Sequence, residues 1–382
     1  MEFLEKRVRA TKIQRSPFGR PRQRVLCRNN TGENMKKTMT RLWAGVGLLA
    51  GTAVADPSFT IAVSEYPSWS GTFLTACDIG LIDGAEGAQG PLEKKWKVDL
   101  VVKDTDYDSC ITLFVNGTID ASCLTDIDSL APSVTRKAVA ILPTSTSAGA
   151  DACLVQPSIT SVQDLKGKPV RGLSSSVSEY TFDKCLEAQG ENPKDYVFEN
   201  LDPVQVGVVL QSGKIDAGVT WNPVVMETLK AKPDLKRLFD SSLIEGQIID
   251  MVTVSRESLE KEGGKDFACA VVDVYYTICK LMDNPDTQDK MLISMGKRFA
   301  GLGLQDMRII VKETRFYSTP EKGIALFTGD KLPAVMKNDV LPWTVKKELV
   351  DQDKQPKIVF GNDPAAELCF DPQYMQLVKN RK

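Results

Sequence analysis

The chain has 382 residues, with 48 Lys and Arg, 50 Asp and Glu, nine Cys and no His, so its formal net charge is −2. With 42% hydrophobic residues it can bury a sizeable core in two or three domains, which argues against a disordered chain or a disulfide-stapled miniprotein. Because His is absent, Ser-His-Asp, Cys-His and His-Glu-x-x-His sites are excluded, and catalysis would have to use Asp, Glu, Lys, Cys or Tyr.

The first 55 residues are predicted not to belong to the folded protein. Residues 1–34 are rich in Arg and lack apolar periodicity, which is typical of a nucleic-acid-binding arm or of an extension upstream of the true start. Met35 then opens a secretory signal: a basic stretch, an apolar stretch from Leu42 to Ala50, and the small-residue cleavage site Ala53-Val54-Ala55. Removing residues 1–55 takes away twelve basic and three acidic residues, and leaves an acidic chain of 327 residues with net charge −11 and eight cysteines.

After the signal, short apolar runs alternate with helical patterns, which predicts βαβ units and a largely parallel sheet. The predicted strands are Phe59–Val63, Val98–Val102, Val139–Leu142, Val197-Phe198 and Met251–Val254, and helices are expected over Asp108–Val115, Ser178–Gln189 and Val204–Gln211.

An internal similarity suggests two related lobes. Residues 113–121 and 210–217 both read as a helix end, a Gly in a left-handed cap and a buried strand opening with Ile-Asp-Ala. The two aspartates of this motif, Asp120 and Asp216, are expected to brace the structure. A turn at Asp164–Val170 is expected to open the second lobe.

Beyond residue 255 the pattern turns helical, with helices expected over Lys265–Met282, Thr287–Leu302 and Pro333–Val350, the last interrupted at Pro342. Thr319-Pro320 reads as an N-cap followed by Pro at the first helical position. We therefore expect lobe one to comprise residues 56–148 and 256–382, and lobe two residues 149–255.

Several stretches resemble a known family. Tyr66 to Trp69, the turn at Asp164–Val170 and Ile215-Asp216-Ala217 resemble the substrate-binding components of ABC importers that bind nitrate, sulfonates, taurine and thiamine-precursor pyrimidines. Longer stretches are similar to one branch, the urea-type binding proteins associated with urea carboxylase, some of whose relatives handle guanidine. They are residues 176–180, 219–223, 239–250, 316–320 and 370–375. The resemblance implies an α/β, two-lobed periplasmic-binding-protein fold of type II with the ligand between the lobes.

Candidate ligand-binding residues follow from where such folds bind, at the carboxyl ends of strands in the crevice between lobes. The candidates are Tyr66, Trp69, Asp106, Asp126, Asp128, Asp151, Ser176, Ser178, Glu179, Trp221, Asn222 and Asp250. This set is acidic and aromatic and contains no Arg or Lys, whereas a nitrate or sulfonate site would offer cations or several backbone N–H groups. A guanidinium ion donates N–H bonds to carboxylates that lie in its plane and packs against aromatic faces above or below it. Urea would also need a donor for its carbonyl.

Each candidate has a structural alternative. Trp69 and Trp221 could be core aromatics, the aspartates solvated loop residues, and Ser176 or Ser178 an ordinary N-cap. A carboxylate pair such as Asp126 with Asp128 would be needed if the protein were an exported enzyme, and no further catalytic signature accompanies that pair. The eight cysteines after the signal show no metal-ligand spacing. An exported location favours disulfides among them, and the alternative is that some are buried thiols that act as small apolar residues.

The sequence therefore predicts a periplasmic, non-enzymatic binding protein without cofactor or metal, a monomer that captures a small nitrogen-rich solute and delivers it to a membrane permease. The alternative is the same role for nitrate, taurine or another sulfonate. Neither reading involves nucleic acid.

Overall fold

Two β-sheets organise the chain in the computed structural model, which describes residues 55–381. The expected extension at 1–34, and the expected signal peptide apart from its last residue, lie outside the described residues. The strands, in chain order, are β1 Ser58–Val63, β2 Asp99–Asp104, β3 Ala121–Thr125, β4 Ala138–Thr146, β5 Asp151–Val155, β6 Pro169–Gly172, β7 Val197–Asn200, β8 Ala217–Trp221, β9 Lys236–Asp240, β10 Ile249–Ser255, β11 Ile358–Phe360 and β12 Leu368–Phe370.

Helices cover the faces of both sheets. They are α1 Ser70–Asp78, α2 Pro91–Trp96, α3 Tyr107–Val115, α4 Asp126–Thr135, α5 Val177–Ala188, α6 Pro203–Gln211, α7 Val224–Ala231, α8 Arg256–Glu260, α9 Gly264–Asp283, α10 Pro285–Arg298, α11 Leu304–Thr314, α12 Pro320–Thr328, α13 Lys331–Val335, α14 Leu341–Lys346 and α15 Gln373–Asn380. No helix in residues 55–381 is long and apolar enough to cross a bilayer.

The first sheet has seven strands in the order β11-β12-β4-β10-β3-β1-β2, and the second has five in the order β7-β6-β8-β5-β9. We call the first sheet with its helices lobe one, and the second sheet with its helices lobe two. The pairing is mixed, not purely parallel, because β10 runs antiparallel to β3 and β4, and β5 runs antiparallel to β8 and β9. The predicted α/β class is confirmed. The sequence predicts largely parallel sheets, and its apolar patterns do not reveal that β5 and β10 run antiparallel.

The repeated motif serves the local structure in each lobe. Gly117 and Gly213 both adopt positive φ, 79° and 70°, between a helix end and the strands β3 and β8, a conformation that glycine reaches without steric cost. Asp120 accepts a hydrogen bond from the Thr60 backbone N–H at 2.9 Å, so it ties β1 to the β3 entry. Asp216 forms an exposed ion pair with Lys168. Both aspartates brace structure, as expected.

The C-terminal helices differ slightly from the pattern. Thr319 caps α12, whose first residue is Pro320, as predicted. After α13 the helical run is interrupted by a π-helical turn, Met336–Val340. Pro342 follows this turn and lies in the first turn of α14, where the missing N–H of proline is not needed. The long helix α9 packs on α1, α2, α15 and β4, so it covers one face of the first sheet.

Two segments connect the lobes. The first, residues 147–150, leads from β4 to β5, and the second, residues 241–248, returns from β9 to β10. The return crossing therefore precedes Ile249, whereas the sequence predicts it over Asp250–Ser255. The two segments bond to each other: the hydroxyls of Ser147 and Ser241 lie 2.6 Å apart, and the Gly149 N–H donates to Ser241 at 2.8 Å. Paired crossings of this kind form a hinge about which lobes can open and close.

Candidate functional site

A small cavity lies between the lobes, at the strand ends that face each other. It has a volume of about 10 Å³, and we call it the central cavity; its lining residues are Tyr66, Trp69, Tyr107, Thr125, Asp151, Val177, Trp221 and Asp250. Drug-sized ligands occupy cavities of roughly 300–1,000 Å³. In this form the cavity has room for about one water molecule, so even a ligand of a few non-hydrogen atoms requires its walls to move apart.

The antiparallel strands explain why two aspartates reach this cavity. Asp151 is the first residue of β5 and pairs with Trp221, the last residue of β8. Asp250, near the start of β10, pairs with Thr125, the last residue of β3. An antiparallel strand begins where its neighbour ends, so each sheet brings one carboxylate to the same edge as its carboxyl-terminal residues.

Aromatic side chains form the walls. Trp69 stacks on Tyr107 with ring centroids 5.5 Å apart and planes 12° from parallel, and Tyr66 lies 4.9 Å from Trp69. From lobe two, Trp221 meets Tyr107 edge-on at 5.5 Å. These rings are almost fully buried, and the Trp69 indole N–H is fixed by a 3.2 Å hydrogen bond to the Thr144 hydroxyl. Rings held this way offer π faces to a cation.

The two cavity carboxylates are buried: Asp151 is 3% exposed and Asp250 2%. Burial raises the pKa of Asp151 to about 7, against a smaller lowering by the Ser147 hydroxyl. Burial also raises the pKa of Asp250 well above its usual range; the hydrogen bond from Ser145 opposes this, and the charge of Asp151 adds to it. No Lys or Arg is among the cavity-lining residues. The free site therefore holds carboxyl groups whose charges lack a cationic partner in the lining, which favours a positively charged ligand.

Five of the expected site residues line the cavity: Tyr66, Trp69, Asp151, Trp221 and Asp250. The others lie nearby in different roles. Asp106 caps α3 through the Ser109 N–H at 2.8 Å. It lines a larger cleft outside the central cavity, which we call the outer cleft, whereas the sequence predicts it at the ligand. Asp126 is fully buried behind the cavity, and one of its carboxyl oxygens accepts the Ile249 N–H at 3.0 Å; burial raises its pKa to about 8.

On the lobe-two side, four more expected residues do not line the cavity. Glu179 points to the other side of α5, where it forms an ion pair with Lys347. Asn222 donates to Glu313 of α11 at 2.8 Å. The Ser178 hydroxyl is buried without a hydrogen-bond partner in the described part of the chain. Ser176 donates to Asp128, and this pair joins the lobes.

Sequence reasoning missed Tyr107 and Val177 among the lining residues, and it noted Thr125 without choosing it. Tyr107 follows β2 by three residues, directly after the chosen Asp106, so an aromatic residue at a strand end was the available signal. Val177 is the first residue of α5, and an apolar residue at a helix start carries no such signal.

The outer cleft is larger, about 900 Å³, and shares Tyr107 and Trp221 with the central cavity. Its lining is mainly acidic, because Glu65, Asp104, Asp106, Asp108 and Asp202 stand against one basic residue, Arg298. Burial, with the charges of Glu227, Asp104 and Asp202, raises the pKa of Glu65 to about 7. The approach to the cavity thus carries negative potential.

No cluster of three or more potential metal ligands occurs within residues 55–381. The eight cysteines of this region are all free thiols, and seven are buried, so the disulfides that an exported location favours are not formed here.

Comparison with known proteins agrees with this architecture. Residues 97–270, less than half of the chain, match a family model described as NMT1/THI5 like. A search of curated proteins found no significant match. Among solved structures, the chain resembles the alkanesulfonate-binding protein SsuA from Xanthomonas axonopodis pv. citri bound to MOPS, with a TM-score of 0.57 and 16% identity over 69% of this chain and 86% of that one. The chain has a periplasmic-binding-protein fold.

Two further structures share this fold. A periplasmic sulfonate-binding protein SsuA from Methylobacillus flagellatus matches with a TM-score of 0.61 and 13% identity, over 86% of this chain and 97% of that one. A Candida albicans protein described as having the generic periplasmic binding protein fold matches with a TM-score of 0.54 and 15% identity, over 76% and 95%. Identities this low establish the periplasmic-binding-protein fold alone, and the expected two-lobed fold is thereby confirmed. The neighbours described as sulfonate-binding proteins are binding proteins, not enzymes.

Proposed function

We propose that this protein is the extracytoplasmic solute-binding component of an ABC importer and that it captures a small planar nitrogen-rich cation of the guanidinium type. Its fold and its two-lobed cavity support the binding role, and the chain offers no His for acid–base chemistry. Ligand contacts from both lobes exist only in the closed form, so binding shifts the population toward closure, which a permease can then recognise. The export signal at Met35 to Ala55 would place it in the periplasm.

The observation that carries the ligand class is the pairing of buried carboxylates with aromatic rings around so small a cavity. Asp151 and Asp250 can accept N–H bonds in the plane of a guanidinium ion, and Trp69, Tyr107 and Trp221 supply ring faces and edges. A cation would also neutralise the charges that burial makes costly. A bound sulfonate or nitrate would instead place its own negative charge beside these carboxyl groups.

Urea is the second candidate, because it has the same planar shape and several N–H donors. Burial favours the protonated form of the Asp250 carboxyl group, and in that form it could donate to the urea carbonyl. The charge of the ligand thus separates the two candidates.

Calorimetric titration of the purified protein with guanidinium chloride, urea, taurine and sodium nitrate tests the proposal, with sodium chloride as the control for the counterion. We expect guanidinium to bind more tightly than urea, and taurine and nitrate to bind weakly or not at all. Tight binding of taurine or nitrate with no binding of guanidinium would refute the ligand class.

A further inference from the structure

The carboxylate of Asp128 makes two polar contacts between the lobes next to the cavity. It lies in the first turn of α4, in lobe one, and is 5% exposed. Its Oδ2 accepts the Ser176 hydroxyl at 2.7 Å and the Val177 backbone N–H at 3.2 Å, both from lobe two. The lobes therefore meet at a buried carboxylate.

The same oxygen is held from the lobe-one side. The Tyr107 hydroxyl donates to it at 2.9 Å, and the Thr125 hydroxyl lies 3.2 Å away while accepting the Asp128 N–H at 3.1 Å. Tyr107, Thr125 and Val177 all line the central cavity. One oxygen thus fixes cavity walls in both lobes, although Asp128 itself is not a lining residue.

Helix α5 is capped in an unusual way. Ser176 stands at its N-cap position, but its side chain makes no capping bond to the helix. The first N–H of the helix donates to Asp128 instead, a residue 49 positions earlier in the chain and in the other lobe. A helix N-terminus attracts anions through its free N–H groups and its dipole, and a carboxylate is such an anion.

We propose that Asp128 determines specificity by acting as a built-in anion: it closes the lobes by capping α5 across the cleft, and it takes the place at which that helix end would attract an anionic ligand. The specificity role of Asp128 rests on the proposed function, because that function names the ligand as a cation. The closing role does not depend on the ligand, because it rests on the contacts between the lobes.

Two variants test it. Asp128→Asn keeps the shape and removes the charge, and Ser176→Ala removes one lobe-two partner while leaving the lobe-one contacts of Asp128 in place. The matched control is Asp164→Asn, since Asp164 is only partly buried, lies in lobe two and caps a short helix of its own lobe through the Thr160 and Ser161 N–H groups. Thermal denaturation establishes that each variant folds.

For Asp128→Asn we expect guanidinium affinity to fall at least about tenfold, the lower end for loss of a hydrogen bond to a charged group, and measurable binding of taurine or nitrate to appear. Ser176→Ala should weaken guanidinium binding by a smaller factor, and Asp164→Asn should bind as the wild type does. Small-angle X-ray scattering of the ligand-free proteins should give a larger radius of gyration for Asp128→Asn than for wild type and Asp164→Asn.

Unchanged guanidinium affinity, or a loss without any gain for taurine or nitrate, would overturn the specificity role, and an unchanged radius of gyration would overturn the closing role. If wild type does not bind guanidinium, the proposed function fails instead. The scattering comparison and the appearance of anion binding in Asp128→Asn then still decide whether Asp128 closes the lobes and excludes anions.

Discussion

Guanidinium binding should depend on pH, because the cavity carboxylates must release protons to accept a cation. Guanidinium itself stays charged throughout the range of pH 6 to 8, as the arginine side chain does. In the free protein the pKa of Asp151 is raised to about 7, so this carboxyl group is mostly protonated at pH 6 and mostly ionised at pH 8. A bound cation favours the ionised form and lowers this pKa again.

The expected size follows from linkage between proton and ligand. With a pKa of about 7 in the free protein, the ionised fraction rises about tenfold between pH 6 and pH 8, which corresponds to about 1.4 kcal/mol of binding free energy. The sign is fixed: the complex binds fewer protons than the free protein, so affinity increases with pH. If Asp250 must ionise as well, its raised pKa adds to the rise of affinity with pH.

Calorimetric titration at pH 6, 7 and 8, in two buffers of different ionisation enthalpy, measures both the affinity and the number of protons released. Two variants separate the cavity from its surroundings. Asp151→Asn should lose most of the pH dependence, whereas Glu65→Gln should retain it, because Glu65 has a similar pKa but lies in the outer cleft. A neutral ligand such as urea should show no such rise. Guanidinium affinity that is flat between pH 6 and 8, or that falls as pH rises, would refute the reasoning.

Three other predictions follow from the packing. Trp221→Ala should raise the Kd for guanidinium about tenfold or more, since a desolvated cation–π contact contributes about 2 kcal/mol, and Trp221→Phe should lose less; titration measures both, and equal affinities would exclude Trp221 from the site. Glu313→Gln should lower the free energy of unfolding by about 1.5–3 kcal/mol, because the mostly buried Glu313 accepts hydrogen bonds from Arg237 and Asn222. Urea denaturation measures this loss, and an unchanged urea midpoint would contradict the prediction. The native protein should react with a thiol reagent only slowly, and first at half-buried Cys77. In denaturant without reductant, all eight cysteines of residues 55–381 should react, and fewer than eight reactive thiols would indicate disulfides.

Much of the fold could be predicted from local patterns. Apolar runs located β1, β4 and β10, because buried strands of this fold leave continuous apolar stretches. They also located β2 and β7, although β2 is only partly buried and β7 has no buried residue. Gly117 and Gly213 marked helix ends, since few other residues adopt their positive φ. Strand direction left no such trace, because a buried strand has the same composition whichever way it runs. The sequence therefore predicts the return crossing over Asp250–Ser255, within β10, although the chain crosses before that strand begins.

The site was harder to predict for the same reason. Asp151 and Asp250 reach the cavity because β5 and β10 start there, antiparallel to their neighbours. Sequence reasoning chose both from their position near the lobe crossings, which happens to coincide with these strand starts. Glu179 was chosen from its place at a helix start, but the side chain faces Lys347, on a segment more than 160 residues later.

Asp126 and Asp128 show what only the folded chain can decide. They are two residues apart in the same helical turn and are both buried, so composition and spacing treat them alike. In the structure Asp126 binds the β10 backbone, within lobe one, whereas Asp128 turns toward the other lobe and meets the first N–H of α5. That contact depends on how the lobes close, which no local pattern encodes. A carboxylate that the sequence assigns to ligand binding thus caps that helix from the other lobe instead.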